Sequence, residues 1–461
     1  MWKFKEEIFK NFSLYLLEVN KMKKIQVLVV VAFVVLSIVA FSQASVNYAN
    51  VVFPKYTGGP VTLTVWSWVP NIQKSIDLFE QAYPNIKINY VNVGGAGPTY
   101  SKLLSSTTSG AGLPDVTQIE YTFLPQFIDY GTVMDISKWV SQYKDLFPTW
   151  TWESVSRGNK VYGIPQDGGA LVYFYRKDIF DKYGLTVPKT WDEFAQEAID
   201  IHSKDPNVYI ADLEENYFML FDALVWQDGG TMFNYKNGNY YIDFTNPIAM
   251  KLINFWGNLV DKDAVLPTFA WSTDWYNFLA TGKIAGFISG AWMPTFLTSI
   301  AESSSGSWRV ALLPQWNPEE PQNGNVGGSA FCVTTQSKHP EAAALFALWI
   351  NSESNSVKDL YTESQLWPVA NVFSDEINEL DTPNAFFGGQ KIMSTLNQAS
   401  QQVKFYFGWL PVMNYVQSEF QTQVTNAANK KESWEDVLTN MQSKVITFMK
   451  TQGYNNIIVG Q

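Results

Sequence analysis

The chain has 461 residues, 46% of them hydrophobic, which is enough for two or three domains with substantial cores. Its net charge of −11, with no Lys/Arg-rich run after residue 24, argues against a nucleic-acid partner. Two histidines and one cysteine, Cys332, leave almost nothing for a zinc or iron site and allow no intramolecular disulfide. We therefore expect neither a metal nor a cofactor.

The N-terminus has the pattern of an export signal. Basic Met22–Lys24 precedes an uncharged apolar run from Ile25 to Phe41, and Ser42–Ala44 is a small-x-small cleavage site. We predict a signal over 1–44 with a possible N-terminal extension, cleavage after Ala44, and an exported protein in the periplasm or at the cell surface. The run is also near the minimum length of a membrane span, so an uncleaved anchor is the alternative. Residues 45–60 are predicted to be a tether.

Alternating strands and helices follow the tether. Val61–Trp66 and Ile86–Val91 alternate as strands, Tyr100–Ser109 has a helical pattern, and Pro114–Ile119 is a strand that runs into Glu120 and Tyr121. A β-α-β-α-β order predicts a mostly parallel sheet with helices on its faces.

Two later segments carry stronger local signals. Thr190, with Glu193 three residues on, forms a capping box and predicts a helix start. Further on, a helix that ends near Gly282 is followed by a buried strand at Ile284–Ile288 and then by Trp292. An aromatic residue just beyond a strand's carboxyl end is well placed to face a ligand, and the alternative is a core Trp that caps the strand.

Several segments, in this order, resemble one family. They are Tyr162-Gly163-Ile164-Pro165 with the apolar strand after it, Pro188–Phe194, and Ser289-Gly290-Ala291-Trp292. From about Val61 to the C-terminus the chain resembles the family 1 extracellular solute-binding proteins, the sugar receptors of ABC importers, which include the maltose-binding type. In that family the Trp that Trp292 matches stacks on a sugar ring.

The resemblance implies an α/β fold of the type II periplasmic-binding-protein kind, with two discontinuous lobes, a three-strand hinge and the ligand in the cleft. The first lobe is predicted over 61–167 and 315–367, and the second over 168–314 and 368–461. The hinge is accordingly expected near Asp167–Ala170, Pro314 and Trp367–Ala370.

A sugar offers an apolar C–H face to aromatic rings and a rim of hydroxyls to carboxylates and amides. Candidates are side chains that follow strands at the cleft, aromatic residues that resemble contributors of the second lobe and hinge, and a Gly-rich turn that brings backbone close to the ligand. Of the first two tryptophans, one is expected to be structural. The predicted ligand-binding residues are Trp66, Trp68, Glu120, Tyr121, Asp167, Trp226, Trp292, Gly328, Trp367 and Trp409.

The resemblance implies a monomeric, non-enzymatic substrate-binding protein of an ABC importer that captures a sugar and delivers it to membrane permease subunits. The number of candidate Trp residues favours an oligosaccharide over a monosaccharide. Two alternatives stay open. One is a secreted carbohydrate-active hydrolase with Glu120 and Asp167 as acid and base. The other is a receptor for a non-sugar solute such as a peptide or polyamine.

Overall fold

The computed structural model describes residues 51–404 and 407–460. The predicted export signal, the cleavage site after Ala44 and the start of the tether lie outside the described residues. Within those ranges no helix is long and apolar enough to cross a membrane. The strands are β1 (Val61–Trp66), β2 (Ile86–Val91), β3 (Val116–Glu120), β4 (Ser156–Arg157), β5 (Lys160–Val161), β6 (Ile164–Pro165), β7 (Leu171–Arg176), β8 (Asp212–Glu214), β9 (Phe233–Lys236), β10 (Asn239–Ile242), β11 (Leu266–Thr268), β12 (Gly286–Gly290), β13 (Trp308–Leu312), β14 (Ser329–Val333) and β15 (Ile457–Val459).

Helices surround these strands, and several begin at a side-chain cap. Thr190 and Glu193 form the predicted capping box, and Ser433 caps the last helix. The α-helices are α1 (Gln73–Ala82), α2 (Ala96–Ser109), α3 (Leu124–Asp129), α4 (Ser137–Val140), α5 (Thr149–Ser154), α6 (Lys177–Tyr183), α7 (Trp191–Lys204), α8 (Phe218–Gln227), α9 (Pro247–Asp261), α10 (Thr273–Thr281), α11 (Met293–Ile300), α12 (Pro340–Ile350), α13 (Ser354–Thr362), α14 (Asn371–Leu380), α15 (Met393–Gln401), α16 (Met413–Ala428) and α17 (Trp434–Thr451).

The first sheet has the strand order β2-β1-β3-β14-β6. Strands β1, β2 and β3 are parallel, as predicted, whereas β14 runs antiparallel to both β3 and β6. Leu63 and Val65 of β1 are fully buried, which explains the alternation in the sequence. Because β1 and β3 run in the same direction, the residues after them emerge at one edge of the sheet.

The second sheet is smaller and has the order β12-β7-β13, with both pairs antiparallel. Its core includes Phe174 of β7 and Phe287 of β12, whose ring centroids stack at 5.1 Å. Trp308 of β13 meets Phe287 edge-on at 5.7 Å. Strands β7 and β12 are buried along almost their whole length, whereas β13 is buried only at Trp308 and Val310.

Three chain segments cross between the two sheets and pair with each other. Gly168 N donates to Trp367 O (3.1 Å), and Val326 N donates to Gly169 O (2.9 Å). The second crossing therefore lies at Gly324–Gly328, and the expectation of a crossing at Pro314 is wrong. Pro314 O instead accepts from Gln227 Nε2 at 2.6 Å, which keeps that part of the chain against α8.

The end of the predicted tether packs against the first sheet's helices. The Phe53 ring lies 6.4 Å from that of Tyr143, and the Tyr83 hydroxyl donates to Pro54 O at 3.0 Å. Aromatic side chains in this segment find apolar partners, so from Phe53 onward it is part of the folded unit.

Candidate ligand-binding cleft

A cavity of about 600 Å³ opens at the edge where β1 and β3 end, beside the crossing segments. This volume lies in the range of sites for small molecules. No lysine, arginine or histidine is among its described lining residues, which are Trp68, Val69, Pro70, Asn92, Gly94, Gly95, Gln118, Glu120, Asp167, Tyr217, Met219, Trp271, Trp292, Thr295, Phe296, Gly327, Gly328, Ser329, Ser364, Gln365 and Leu366.

One side of the cleft, which we call the polar wall, consists of Gln118, Glu120, Asp167 and Ser329. Gln118 links its parts: its Nε2 donates to Ser329 Oγ at 2.8 Å, and its Oε1 accepts from Trp68 N at 3.1 Å. Gln118 and Glu120 belong to β3, Asp167 follows β6, and Ser329 begins β14; the three strands are neighbours in the first sheet. Paired backbone therefore fixes the polar wall before any ligand arrives.

Asp167 is the most firmly held carboxylate of the polar wall. Its Oδ1 accepts from Ser329 Oγ at 2.6 Å and from Ser329 N at 2.9 Å, while its backbone oxygen accepts from the Tyr121 hydroxyl at 3.0 Å. Burial raises the pKa of Asp167 to about 6, against the opposing effect of the Ser329 hydrogen bonds. Both of the Ser329 hydrogen bonds end on Oδ1.

Glu120 continues the polar wall at the end of β3. Its Oε2 accepts from the Tyr100 hydroxyl at 2.9 Å. Burial, with a smaller contribution from Asp167, raises the pKa of Glu120 to about 7. Tyr217, which precedes α8, lies close enough to Glu120 for its pKa to be affected. Burial is the main cause that raises the pKa of Tyr217, and the charges of Glu214 and Glu120 raise it further.

The other side, which we call the aromatic wall, consists of Trp271, Trp292 and Phe296. Trp292 is anchored at its polar edge, where Nε1 donates to Val326 O of the second crossing at 2.8 Å. Its indole lies against glycines: a Cβ at Gly169 or Gly290 would lie 2.4 or 2.5 Å from Nε1. Only backbone without side chains allows the ring to approach the crossings this closely.

Trp271 and Phe296 extend this surface. The Trp271 and Trp292 ring centroids are 6.0 Å apart at 25°, and Phe296 meets both rings edge-on at 5.7 and 5.8 Å. Trp271 is 37% exposed and Phe296 47%. Exposed aromatic surface of this size marks a ligand or partner site.

Five predicted residues line the cleft: Trp68, Glu120, Asp167, Trp292 and Gly328. A sixth, Tyr121, lies directly beneath it, buried against Gly328 and hydrogen-bonded to Asp167. The structure thus brings Glu120, Asp167, the glycine turn at Gly328 and two of the predicted tryptophans to one place. Their roles toward a ligand stay predictions.

The other four predicted tryptophans do not line the cleft. Trp66 is buried under the Lys102 ammonium, 3.9 Å from the ring centroid, so the structural member of the first pair is Trp66. Trp226 is buried between Trp150 and Phe407 because α8 is apolar on all sides.

The remaining two fill other cores. Trp409 packs on Phe233 at 5.6 Å, and Trp367 donates from Nε1 to Ser400 Oγ at 2.9 Å on a separate cavity beside the crossings. The prediction of Trp66, Trp226, Trp367 and Trp409 as ligand contacts has no support from their positions. Residue type alone does not separate a core Trp from a cleft Trp.

Several cleft residues were not predicted. Tyr217 and Trp271 come from loops, Phe296 comes from the first part of α11, and Gln118 lies within β3. Ser364 is buried at the cleft, and its Oγ has no hydrogen-bond partner among the described residues. A run such as Phe269-Ala-Trp271 before a helix cap was the one available signal, since loops so rich in aromatics seldom serve packing alone.

Metal ligation and thiol chemistry have few candidate side chains in the part of the chain that the structure describes. No group of three His, Cys, Asp or Glu residues is arranged to hold a metal ion there. Cys332 is buried in β14, and burial raises the pKa of its thiol, which opposes formation of a reactive thiolate. The arrangement is instead suited to recognising a molecule with hydroxyls and an apolar face.

The sequence model for bacterial extracellular solute-binding proteins matches residues 66–356. The chain belongs to this family. The family consists of binding proteins that act outside the cytoplasm. Among curated relatives, this solute-binding protein is 22% identical over 409 residues to an arabinooligosaccharide-binding protein of Halalkalibacterium halodurans, which covers 84% of this chain and 89% of the relative.

Solved structures agree. An ABC transporter-associated binding protein from B. animalis subsp. lactis, in complex with β-1,6-galactobiose, is 31% identical with a TM-score of 0.74, covering 87% of this chain and all of the other. The galacto-N-biose/lacto-N-biose I-binding protein of Bifidobacterium longum, in complex with lacto-N-biose, is 25% identical with a TM-score of 0.75, covering 87% and 99%. The predicted two-lobed type II fold with its three-strand hinge is confirmed.

Proposed function

We propose that this solute-binding protein captures a neutral oligosaccharide in the cleft and delivers it to the membrane permease of an ABC importer. The observation that carries the proposal is the pairing of walls around one cavity. The polar wall offers the carboxylates Glu120 and Asp167 to sugar hydroxyls, and the aromatic wall offers Trp292 to the apolar face of a ring.

The charge of the lining supports a neutral ligand. Glu120 and Asp167 face the cleft with no cationic residue among the described lining, so an anionic sugar would meet like charge. Burial raises the pKa of each carboxyl, because an ionised group is poorly solvated there. A hydroxyl donor relieves this, because it stabilises the carboxylate without adding charge.

The relatives support a sugar of more than one residue. One is named for arabinooligosaccharides, and the two solved structures hold a galactobiose and a lacto-N-biose. The cavity of about 600 Å³ suits a short oligosaccharide better than a single ring.

We further propose two lobes. The first consists of 61–167 and of the chain from just after Gly328 to residue 367, and the second consists of 168–323 and 368–461. The lobes close about a hinge at Asp167–Ala170, Gly324–Gly328 and Trp367–Ala370. In this proposal the protein is exported, with cleavage after Ala44, acts as a monomer and catalyses no reaction. Asp167 is tied to Ser329 and Glu120 to Tyr100, which suits fixed acceptors of hydrogen bonds.

A thermal-shift screen followed by titration calorimetry tests the proposal. The panel contains arabino-oligosaccharides, β-galacto-oligosaccharides, lactose, uronic-acid oligosaccharides, peptides and polyamines. We expect saturable binding of a neutral oligosaccharide and none of its uronic-acid counterpart. Prolonged incubation with chromatographic product analysis should return the sugar intact.

Two results would contradict the proposal. Tight binding of a peptide or polyamine, with no neutral sugar bound, would assign the cleft to another solute class. Release of shortened sugars, abolished in Glu120→Gln, would make the protein a hydrolase.

A further inference from the structure

Trp271 has an unusual backbone for its residue type. It lies between β11 and α10 with φ of 64°, in the left-handed region that a bulky residue seldom adopts. Such a conformation is strained for a bulky residue, because its Cβ lies too close to the following carbonyl oxygen. Trp271 is nevertheless 37% exposed at the cleft, so part of its side chain is uncovered and open to a ligand.

Side chains on either side fix this strained residue. Asn216 holds the preceding residue in both directions: Ala270 N donates to Asn216 Oδ1 at 2.8 Å, and Asn216 Nδ2 donates to Ala270 O at 3.1 Å. On the other side, Ser272 Oγ accepts from Trp275 N at 3.1 Å and begins α10. The Asn216 amide thus continues the parallel pairing of β8 with β11 after the strands end.

The position of the ring follows from its neighbours. Trp292 is partly buried and tied to the crossing at Val326, whereas Trp271 is 37% exposed. A centroid separation of 6.0 Å is that of an offset pair, in which each ring keeps part of its face uncovered. The aromatic wall therefore has an inner ring at the hinge and an outer ring at the mouth.

We propose that Trp271 is the ligand contact that selects longer oligosaccharides, and that Asn216 is the positioning residue that holds it. The inference rests on the proposed function. A disaccharide that contacts Asp167 and Trp292 leaves the outer ring uncovered, while one or two further sugar residues extend toward the mouth and stack on Trp271.

Titration calorimetry with two ladders tests this inference: arabino-oligosaccharides and β-1,6-galacto-oligosaccharides of two, three and four residues. In Trp271→Ala we expect the longest ligand that binds to lose about tenfold in affinity, and the disaccharide about twofold or less. Phe269→Ala is the matched control, since Phe269 is a 38% exposed aromatic of the same loop outside the cleft lining, and it should change neither.

Asn216→Ala should reduce the preference for longer ligands in the same way. The double variant with Trp271→Ala should be no worse than Trp271→Ala alone, because the two residues act through one contact. Trp271→Gly separates the effect of losing the ring from the effect of backbone strain. Because glycine tolerates the left-handed backbone, this variant should have a higher melting temperature than Trp271→Ala, and it should still lose the preference for longer ligands.

An equal loss of affinity at every length, or none, in Trp271→Ala would overturn the inference while leaving sugar binding intact. A lower melting temperature in Asn216→Ala with unchanged length preference would make Asn216 merely structural. Wild-type protein that binds neither these ladders nor any other sugar would instead contradict the proposed function, and the inference with it.

Discussion

The two walls of the cleft are built in different ways. The polar wall comes from strand ends of the first sheet, where Gln118, Ser329 and Asp167 form one hydrogen-bonded chain. The aromatic wall comes from a loop and a helix start, and Trp292 is fixed to a hinge segment through Val326. In the proposed function, hydroxyl recognition therefore relies on side chains that already hold each other in place, whereas ring stacking is coupled to the crossing at Val326.

The largest expected effect is on the aromatic wall. Trp292→Ala should weaken oligosaccharide binding at least tenfold, because a stacking anchor contributes on the order of 1.5–3 kcal/mol. It should also lower the melting temperature, since the bond to Val326 is lost. Calorimetric titration paired with thermal melting measures both quantities.

Two variants control this prediction. Trp292→Phe keeps an aromatic face and should retain most of the affinity. Trp409→Phe alters a buried Trp outside the cleft and should change only stability. Undiminished affinity in Trp292→Ala would remove stacking from the account.

Gly328 joins the two walls and provides a sharper test of the preset geometry. Its φ is 86°, and an added Cβ would lie 2.8 Å from both Asp167 O and Tyr121 Cε2. Gly328→Ala should therefore lower both the melting temperature and the sugar affinity. Gly389→Ala is the matched control, with φ of 82° and no described atom within 4 Å of its Cβ.

The control carries only the backbone strain, about 1–2 kcal/mol of unfolding free energy. An equal drop in melting temperature in Gly328→Ala and Gly389→Ala, with sugar affinity unchanged in both, would mean that the packing beneath Asp167 does not shape the site.

On the polar wall, Asp167→Asn should weaken binding about tenfold, because a hydrogen bond to a charged acceptor contributes about 1.5–3 kcal/mol. At pH 7.5 the same variant should melt no lower than wild type, since burial raises the pKa of Asp167 and its charged form is disfavoured in the fold. Asp77→Asn, on the exposed face of α1, should leave affinity unchanged. Unaltered affinity in Asp167→Asn would show that this carboxylate does not contact the sugar.

A separate expected effect, on stability alone, is a pH dependence from Glu120. Burial raises its pKa in the folded protein to about 7, whereas its usual value is 4.5, so the folded state binds the proton more tightly. The contribution of Glu120 to the free energy of unfolding should therefore increase as the pH falls from about 7 to 4.5, and it should be lost again as the pH rises. Melting temperatures of wild type and Glu120→Gln across this window should converge toward low pH. Parallel curves would contradict the shifted pKa.

Sequence patterns predicted the elements that local chemistry determines. The alternation in Val61–Trp66 and the capping box at Thr190 gave a strand and a helix start that the structure contains. The acids after the strands, Glu120 and Asp167, reached the cleft because strand ends converge at one sheet edge.

The remaining features depend on contacts that are distant in sequence. Trp226 and Trp409 have the same side chain as Trp292, and only their surroundings place them in a core. Trp271 reaches the cleft through Asn216, 55 positions earlier in the chain by their numbering, and no local pattern records that pairing. The crossing at Gly324–Gly328 likewise depends on pairing with Gly169.

The central claim is that an oligosaccharide binds between the two walls. A crystal structure of the protein with its tightest-binding neutral oligosaccharide tests it most directly. We predict a sugar ring with its C–H face against Trp292 and hydroxyls that donate to Glu120 and Asp167. A sugar bound outside this cavity, or one in the cavity that contacts neither Trp292 nor the two carboxylates, would contradict the account.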